Sequence, residues 1–171
     1  MKTFKQYINE IFDNPYDYNM FRFSEYYSTA YFLTEDKKLF SVGVVERENK
    51  VAEVGFYAHP NYESEMIFDM NMTEPFKEES FIEYVKRSIG TDEKLDIDTK
   101  DVSRIFATVI KIAEEYYDKF KPDTLFFRAK NSEANRVTLY YKIAKRFAKK
   151  YNLELVTKTN IESTMFALNK R

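Results

Sequence analysis

A helical stripe of apolar residues between Val102 and Phe120 constrains the fold of this chain more than any other feature. Its members recur at the spacing that gives a helix one buried face, and they are Val102, Ile105, Phe106, Val109, Ile112, Ala113, Tyr116, Tyr117 and Phe120. Asp98 or Asp101 is the predicted N-cap, and Pro122 marks the end of the helix. Such a helix needs a second layer on which to bury its apolar face.

The segments on either side of this helix supply that layer as β-strands. Residues 21–58 contain strand-like runs with polar turns at 35–37 and 48–50, which predict an antiparallel meander. Further predicted elements are a strand at 65–72, a short helix at 76–90, a strand at 123–129, a helix capped by Asn131 or Ser132, and two terminal strands joined near Asn160. The expected fold class is α+β: an antiparallel meander followed by helix-strand-helix-strand-strand, with the helices packed on a central mixed sheet.

The start of the chain is set apart from the rest. Residues 1–14 place Phe4, Tyr7 and Ile8 on one face of a short amphipathic helix, which predicts a targeting or docking segment ended by Asn14-Pro15. Residues 15–171 contain no repeat or linker, so we expect a single domain there. The chain has neither an apolar run of about 18 residues nor a secretory signal pattern, so we expect no membrane association.

Three residue types are scarce enough to exclude whole classes of site. The chain has no cysteine, one histidine (His59) and three isolated glycines (Gly43, Gly55 and Gly90). Disulfides, thiolate nucleophiles and zinc sites built on Cys or several His residues are therefore excluded, and we expect no metal. Closely spaced glycines that would bind a phosphate are also missing, so the sequence contains neither a P-loop nor a dinucleotide-binding motif.

Positive charge is concentrated at the carboxyl-terminal end of the chain. Residues 128–171 carry 11 Lys and Arg against 3 Asp and Glu, although the whole chain has a net charge of -1. Neutralisation by the acidic remainder of the fold is the simplest explanation, and a basic surface for a partner is the alternative. The residues that would form this surface are Lys142, Lys145, Arg146 and Lys149 on the second long helix.

The order of elements resembles the GCN5-related N-acetyltransferase (GNAT) fold, over about Tyr27 to Leu168. The passage RAKNSEANRVTLYYKIAKRF is similar to the strand-to-helix passage of that family, with matches at Leu139, Tyr140, Lys142 and Ile143. This resemblance implies that Tyr140 acts as general acid toward the coenzyme A thiolate. Glu53, in VAEVGF, is the best-placed general base, whereas the simpler interpretations are a solvated carboxylate for Glu53 and core packing for Tyr140.

One departure from the GNAT pattern concerns the cofactor. That family binds the acetyl-CoA pyrophosphate with a glycine-containing loop at the start of the first long helix, and here the corresponding stretch is DIDTKDVSRIF. It has no glycine, and Asp96, Asp98 and Asp101 put negative charge where the pyrophosphate would lie. We therefore expect no cofactor, with acetyl-CoA as the alternative.

The first ten residues, MKTFKQYINE, resemble the capsid-targeting sequence of internal head proteins in T-even-like bacteriophages. The resemblance implies proteolytic cleavage after Glu10. The passages RIFATVIKI and SEANRVTLYYKIAKRF are also similar to GNAT-like proteins of tailed bacteriophages that lack the glycine loop. Together these resemblances predict a non-catalytic GNAT-like phage protein, located in the virion or the host cytoplasm, that acts by binding a protein of the virion or the host. An acetyl-CoA-dependent N-acetyltransferase is the alternative function, and a nucleic-acid-binding module is a further one.

Overall fold

The computed structural model describes residues 14–59 and 99–171 of the chain. These residues form one seven-stranded sheet and two long helices. The strands are β1 (Tyr18–Phe23), β2 (Tyr27–Leu33), β3 (Leu39–Arg47), β4 (Val51–His59), β5 (Thr124–Lys130), β6 (Glu154–Thr159) and β7 (Ser163–Asn169). The helices are α1 (Thr99–Phe120) and α2 (Ala134–Tyr151). The order of strands across the sheet is β1-β2-β3-β4-β5-β7-β6.

The first four strands follow one another across the sheet with short connections. Three residues connect β1 to β2, five connect β2 to β3, and three connect β3 to β4. Connections this short join antiparallel strands, since parallel neighbours need a crossover of roughly a dozen residues or more. Between β3 and β4, a single turn over Glu48–Lys50 holds Asn49 and Lys50 at φ angles of 61° and 57°, in the left-handed region, and reverses the chain. The predicted meander is therefore confirmed.

The second half of the sheet begins with a parallel pair. Val51–Val54 of β4 pair with Thr124–Phe127 of β5, and α1 lies in the connection between these strands. β7 pairs with β5 in antiparallel register from Thr124 opposite Asn169 to Lys130 opposite Ser163, and β6 lies beside β7 as the edge strand. The sheet is therefore mixed. Along the chain, the meander β1–β4 is followed by helix, strand, helix, strand and strand in the predicted order, so the predicted fold class is confirmed.

Helix α1 matches its apolar stripe but differs in its predicted cap. The helix begins at Thr99, so Asp101 lies inside it and is not its N-cap, while Asp98 lies outside the described residues. At its carboxyl end Lys121 has a φ of 50°, and its backbone N–H donates to the carbonyl of Tyr117 at 2.9 Å. This left-handed residue ends the helix immediately before the proline that marks its end in the sequence.

Helix α2 begins later than its sequence predicted. Its first residue is Ala134 and its N-cap is Glu133, so the predicted caps Asn131 and Ser132 are wrong. The side-chain Nδ2 of Asn131 instead donates to the carbonyl of Asn160 at 2.7 Å. Asn131 thereby fixes the turn between β6 and β7, and this tertiary partner takes the side chain away from the helix terminus.

The described residues divide into two compact units. The first unit comprises residues 14–19, 31–41, 56–59 and 99–108. Its core is a chain of aromatic contacts with ring centroids 5.4 to 5.9 Å apart, which runs through Tyr16, Phe32, Phe40, Phe56 and Phe106. These contacts join β2, β3 and β4 to the amino-terminal half of α1.

The second unit comprises residues 20–30, 42–55 and 109–171. In its core the ring of Tyr117 on α1 lies 5.5 Å from that of Phe147 and 4.5 Å from that of Tyr151 on α2. The Tyr151 hydroxyl donates to Asp118 at 3.1 Å. Burial, followed by this hydrogen bond to a carboxylate, raises the pKa of Tyr151. Aromatic and polar contacts together therefore hold the carboxyl-terminal halves of the two helices side by side.

Several predicted elements lie outside the described residues. They are the amino-terminal helix, the strand at 65–72 and the helix at 76–90. The division into residues 1–14 and a single domain at 15–171 stays a prediction. Neither described helix combines the length and the apolar character that a membrane crossing requires.

Candidate functional site

A cleft of about 350 Å³ opens in the first unit between residues 16–19, β2 and α1. The side chains that give it chemical character are Tyr16, Asp17, Tyr31, Phe32, Glu35 and Arg104. Aromatic rings therefore form its walls, and two carboxylates and one guanidinium lie at its surface. Its volume lies at the lower end of the range of small-molecule pockets.

Arg104 organises one side of the cleft. Its guanidinium carbon lies 3.9 Å from the centroid of the Tyr16 ring, and its Nε donates to the carbonyl of Asn14 at 3.2 Å. The same guanidinium forms an ion pair with Glu35. One planar cation thus holds the backbone before β1, an aromatic ring and the turn after β2 in a fixed arrangement.

Two other lining residues differ in their burial. Tyr31 is buried, and this burial raises the pKa of its hydroxyl, which therefore stays protonated at neutral pH. Asp17 is exposed. Sequence reasoning missed the cleft because its residues come from three distant segments, and the spacing of Tyr31 and Phe32 indicates only a buried strand.

A second candidate site lies in the second unit, where the parallel pair of β4 and β5 ends. The paired register stops at Val54 and Phe127, although both strands continue past these residues. The next positions are Gly55 and Arg128. Gly55 does not have a positive φ, so its conformation does not require glycine. A glycine in such a strand is typical of a place where another backbone or a ligand approaches closely.

Tyr140, the predicted general acid, lies next to this point. It is buried, with 4% of its surface exposed, and its ring centroid lies 6.1 Å from that of Phe127. Phe127 is the last residue of β5 that pairs with β4. The structure therefore places Tyr140 over the end of the parallel pair, packed against the sheet.

Glu53, the predicted general base, is on the other face of the sheet. Side chains alternate along a strand, so Glu53 points away from the face that Val54 shares with Phe127 and Tyr140. Its carboxylate accepts hydrogen bonds from Nε and Nη2 of Arg47 at 3.0 and 2.6 Å. The structure does not bring the two predicted catalytic residues together.

The basic residues predicted to contact a partner are exposed on α2. Lys142, Lys145, Arg146 and Lys149 all lie on the surface of this helix. The neighbouring Lys150 forms an ion pair with Glu114 of α1 at 2.8 Å. For Lys150, the interpretation that acidic residues of the fold neutralise the basic carboxyl-terminal end is therefore correct.

The remaining predicted site residues lie in the amino-terminal segment. Phe4, Tyr7, Ile8 and the proposed cleavage position Glu10 are outside the described residues. Within residues 14–59 and 99–171, no group of three or more His, Asp or Glu residues is arranged to hold a metal ion.

No protein-family model and no curated protein matches this chain. Among solved structures it is similar to a variant of the spermidine N-acetyltransferase SpeG from Vibrio cholerae, with a TM-score of 0.43 and 8% identity over 85% of this chain and 67% of that one. It is also similar to the N-acetyltransferase PseH of Campylobacter jejuni in complex with acetyl coenzyme A, with a TM-score of 0.35 and 14% identity over 84% of this chain and 69% of that one. Likenesses this low do not decide what the chain does.

The PseH structure corrects one expectation. We withdraw the expectation of no cofactor: PseH was solved in complex with acetyl coenzyme A, the alternative given above. The resemblance to a capsid-targeting sequence rests on residues outside the described part of the chain. It stays a prediction, as do the phage origin and the location in a virion or host cytoplasm.

Proposed function

We propose that this chain is an N-acyltransferase that uses acetyl-CoA, bound where β4 and β5 separate. The observation that supports this most directly is the end of the parallel pair at Val54 and Phe127, with Tyr140 packed on Phe127. In sheets with parallel strands, ligands bind in the crevice outside the carboxyl ends of those strands. The order of elements around this point is the order that the GNAT resemblance implies.

The residues present at this point fit a ligand with an extended, amide-containing chain. Gly55 has no Cβ, so a ligand could approach the backbone of β4 closely there. The backbone groups of Gly55 and Arg128 lie just past the paired register, where hydrogen bonds to a ligand's amide groups could form. The acid-rich, glycine-free stretch before α1 opposes the pyrophosphate, so we expect weaker affinity than a glycine loop would give.

Bound acetyl-CoA would supply an acetyl group activated as a thioester. Tyr140 would supply a phenolic O–H group, which can donate a proton. Its packing against Phe127 would keep this hydroxyl near the end of the parallel pair. There Tyr140 could give its proton to the sulfur as the C–S bond breaks, and its oxygen could take back the proton that the attacking amine loses on forming the C–N bond. Glu53 has no part in this step, because it lies on the opposite face of the sheet.

A thermal-shift titration with acetyl-CoA tests the binding step. A ligand at about 100 times its dissociation constant stabilises by roughly 2.7 kcal/mol, which should raise the melting temperature of a chain of this size by about 5 to 10 °C. Gly55→Val should abolish the shift, because the valine side chain would occupy the point of close approach. Gly43→Val, a matched change in β3, should retain it.

A Tyr140→Phe variant then tests the chemical step. We expect it to retain the acetyl-CoA shift and to lose most acetylation of an amine substrate, whereas Tyr141→Phe on the same helix should keep it. No shift at millimolar acetyl-CoA, or unchanged turnover in Tyr140→Phe, would contradict the proposed binding or the proposed role of Tyr140, respectively.

Protein binding without catalysis is the second candidate function. It is favoured by the burial of Tyr140 and by the ion pair between Glu53 and Arg47, which leave the predicted catalytic residues in structural roles. Recovery of the chain in purified phage particles, in a complex with one particle protein, would support this function. Its presence in infected cells and absence from particles would remove the virion role.

A further inference from the structure

Helix α2 has an unusually one-sided charge. Its 18 residues include six Lys and Arg and no Asp or Glu. Helices that pair their own charges alternate acids and bases at a spacing of three or four residues. Helix α2 cannot do this, so its basic side chains need partners from elsewhere or remain solvated.

Only part of this charge is neutralised by the described fold. Lys150 pairs with Glu114, as noted above. Lys142, Lys145 and Lys149 are exposed, and among residues 14–59 and 99–171 none of them has an acidic partner. Three ammonium groups therefore face solvent along about two turns of one helix.

An aromatic ring lies among these lysines. Tyr141 is 44% exposed, and the ammonium of Lys145 lies 5.8 Å from its ring centroid. The inner side of the ring is anchored, because its centroid lies 6.2 Å from that of Phe166 on β7. Tyr141, Lys145 and Lys149 recur every four residues, so they form one row with a rise of about 6 Å between members.

This row lies near the open edge of the sheet. Phe166, which supports Tyr141, pairs with Thr157 of the edge strand β6, and Thr157 is exposed. In the part of the chain that the structure describes, no strand lies beyond β6. A long ligand could therefore run along α2 past the edge of the sheet.

We propose that Tyr141, Lys142, Lys145 and Lys149, which we term the α2 surface, bind single-stranded nucleic acid without sequence preference. The lysines would contact phosphates, and the anchored ring of Tyr141 would stack on an unpaired base. The exposed ring favours a single strand over a duplex, in which the bases are already stacked, and over an acidic peptide, which has no need of an aromatic platform. This inference is independent of acetyl transfer.

Fluorescence anisotropy of a labelled oligothymidylate of about 20 nucleotides, long enough to span one site, tests the proposal with the full chain. Three phosphate contacts on a single strand give a slope of about -2 for the logarithm of affinity against that of salt concentration. Affinity should then fall about twentyfold between roughly 50 and 200 mM salt. Absence of binding at the lower salt concentration would overturn the proposal.

Variants distinguish the contribution of the lysine charges to affinity from that of the Tyr141 ring. The triple change of Lys142, Lys145 and Lys149 to Gln should abolish measurable binding, whereas Lys150→Gln, which removes a paired charge from the same helix, should change affinity less than twofold. Tyr141→Ala should weaken binding at least about fivefold, since stacking contributes about 1 to 3 kcal/mol per base. Tyr141→Phe should retain binding.

Competition identifies the class of partner. We expect unlabelled oligothymidylate to displace the probe at lower concentration than duplex DNA or poly-glutamate of equal charge. If Tyr141→Ala binds normally and duplex competes equally, the surface attracts any polyanion and the single-strand assignment is wrong. If poly-glutamate competes best, the partner is an acidic protein and the nucleic-acid assignment is wrong.

Discussion

Replacing Tyr116 by Phe removes a single hydroxyl group from the core of the second unit. Tyr116 is completely buried, and its hydroxyl donates to the carbonyl of Glu25 at 2.6 Å. Phenylalanine keeps the ring, whose centroid lies 4.9 Å from that of Phe120. The change therefore isolates one part-buried hydrogen bond that joins α1 to the turn between β1 and β2.

The expected cost follows from what the carbonyl of Glu25 loses. A buried acceptor left without its donor costs about 1 to 3 kcal/mol, and a part-buried carbonyl falls in the lower part of this range, up to about 2 kcal/mol. In a chain of 171 residues, each kcal/mol lowers the melting temperature by about 2 to 4 °C. A loss of about 2 kcal/mol then lowers it by about 4 to 8 °C.

The same hydroxyl makes stability depend on pH in alkaline solution. Burial, with smaller effects from the carboxylates of Glu46 and Glu25, raises the pKa of Tyr116 to about 12 from its ordinary value of 10.0. Because the folded pKa exceeds the unfolded one, the stabilisation that the protonated Tyr116 hydroxyl contributes to the fold is fully present below pH 10 and is lost as the pH rises through 12. The stability gap between the natural chain and Tyr116→Phe should therefore narrow across this interval.

Thermal unfolding followed by circular dichroism, at pH 7 and at steps between pH 9 and 12, measures both effects. The control is Tyr26→Phe, the same chemical change at a side chain that is 73% exposed, which should alter stability by less than about 0.5 kcal/mol. Equal melting temperatures for the two variants at pH 7 would refute the hydrogen-bond argument. A constant gap across the alkaline interval would refute the pKa argument.

Three further predictions concern other parts of the fold. Lys50→Gly, at a position with positive φ, should stabilise the chain by roughly 0.5 to 1 kcal/mol in urea unfolding, because glycine has no Cβ to oppose this backbone; a loss of stability would show that the turn does not need this conformation. Arg104→Met should destabilise by about 1 to 2 kcal/mol, since it removes a hydrogen bond and the cation over Tyr16, and Arg104→Lys should recover part of this loss in the same assay. The hydrogen bond from Lys170 lowers the pKa of the Asp123 carboxyl from its ordinary value of 3.8. The stabilisation from this carboxylate is therefore present above pH 3.8 and is lost as the pH falls through the folded pKa. The difference in free energy of unfolding between the natural chain and Asp123→Asn should close in acid, and a difference independent of pH would contradict this.

Periodicity alone determined the largest elements of the fold. The apolar stripe of α1 and the strand-like runs between the polar turns of the meander each depend on residue spacing within one segment, which the sequence gives directly. The absence of cysteine and the scarcity of histidine and glycine likewise excluded whole classes of site without any coordinates. Alternation along β4 was enough to put Glu53 on the side opposite Val54.

Tertiary structure decided which distant residues meet. Asn131 has the chemistry of a helix cap in the sequence, but its amide reaches the β6–β7 turn instead. The contact between Arg104 and Tyr16 joins residues far apart in the chain, and no local sequence pattern predicts it. The face of the sheet that Tyr140 covers was likewise fixed only by the packing of α2 on β5, because a helix's own periodicity tells which side is buried but not what it is buried against.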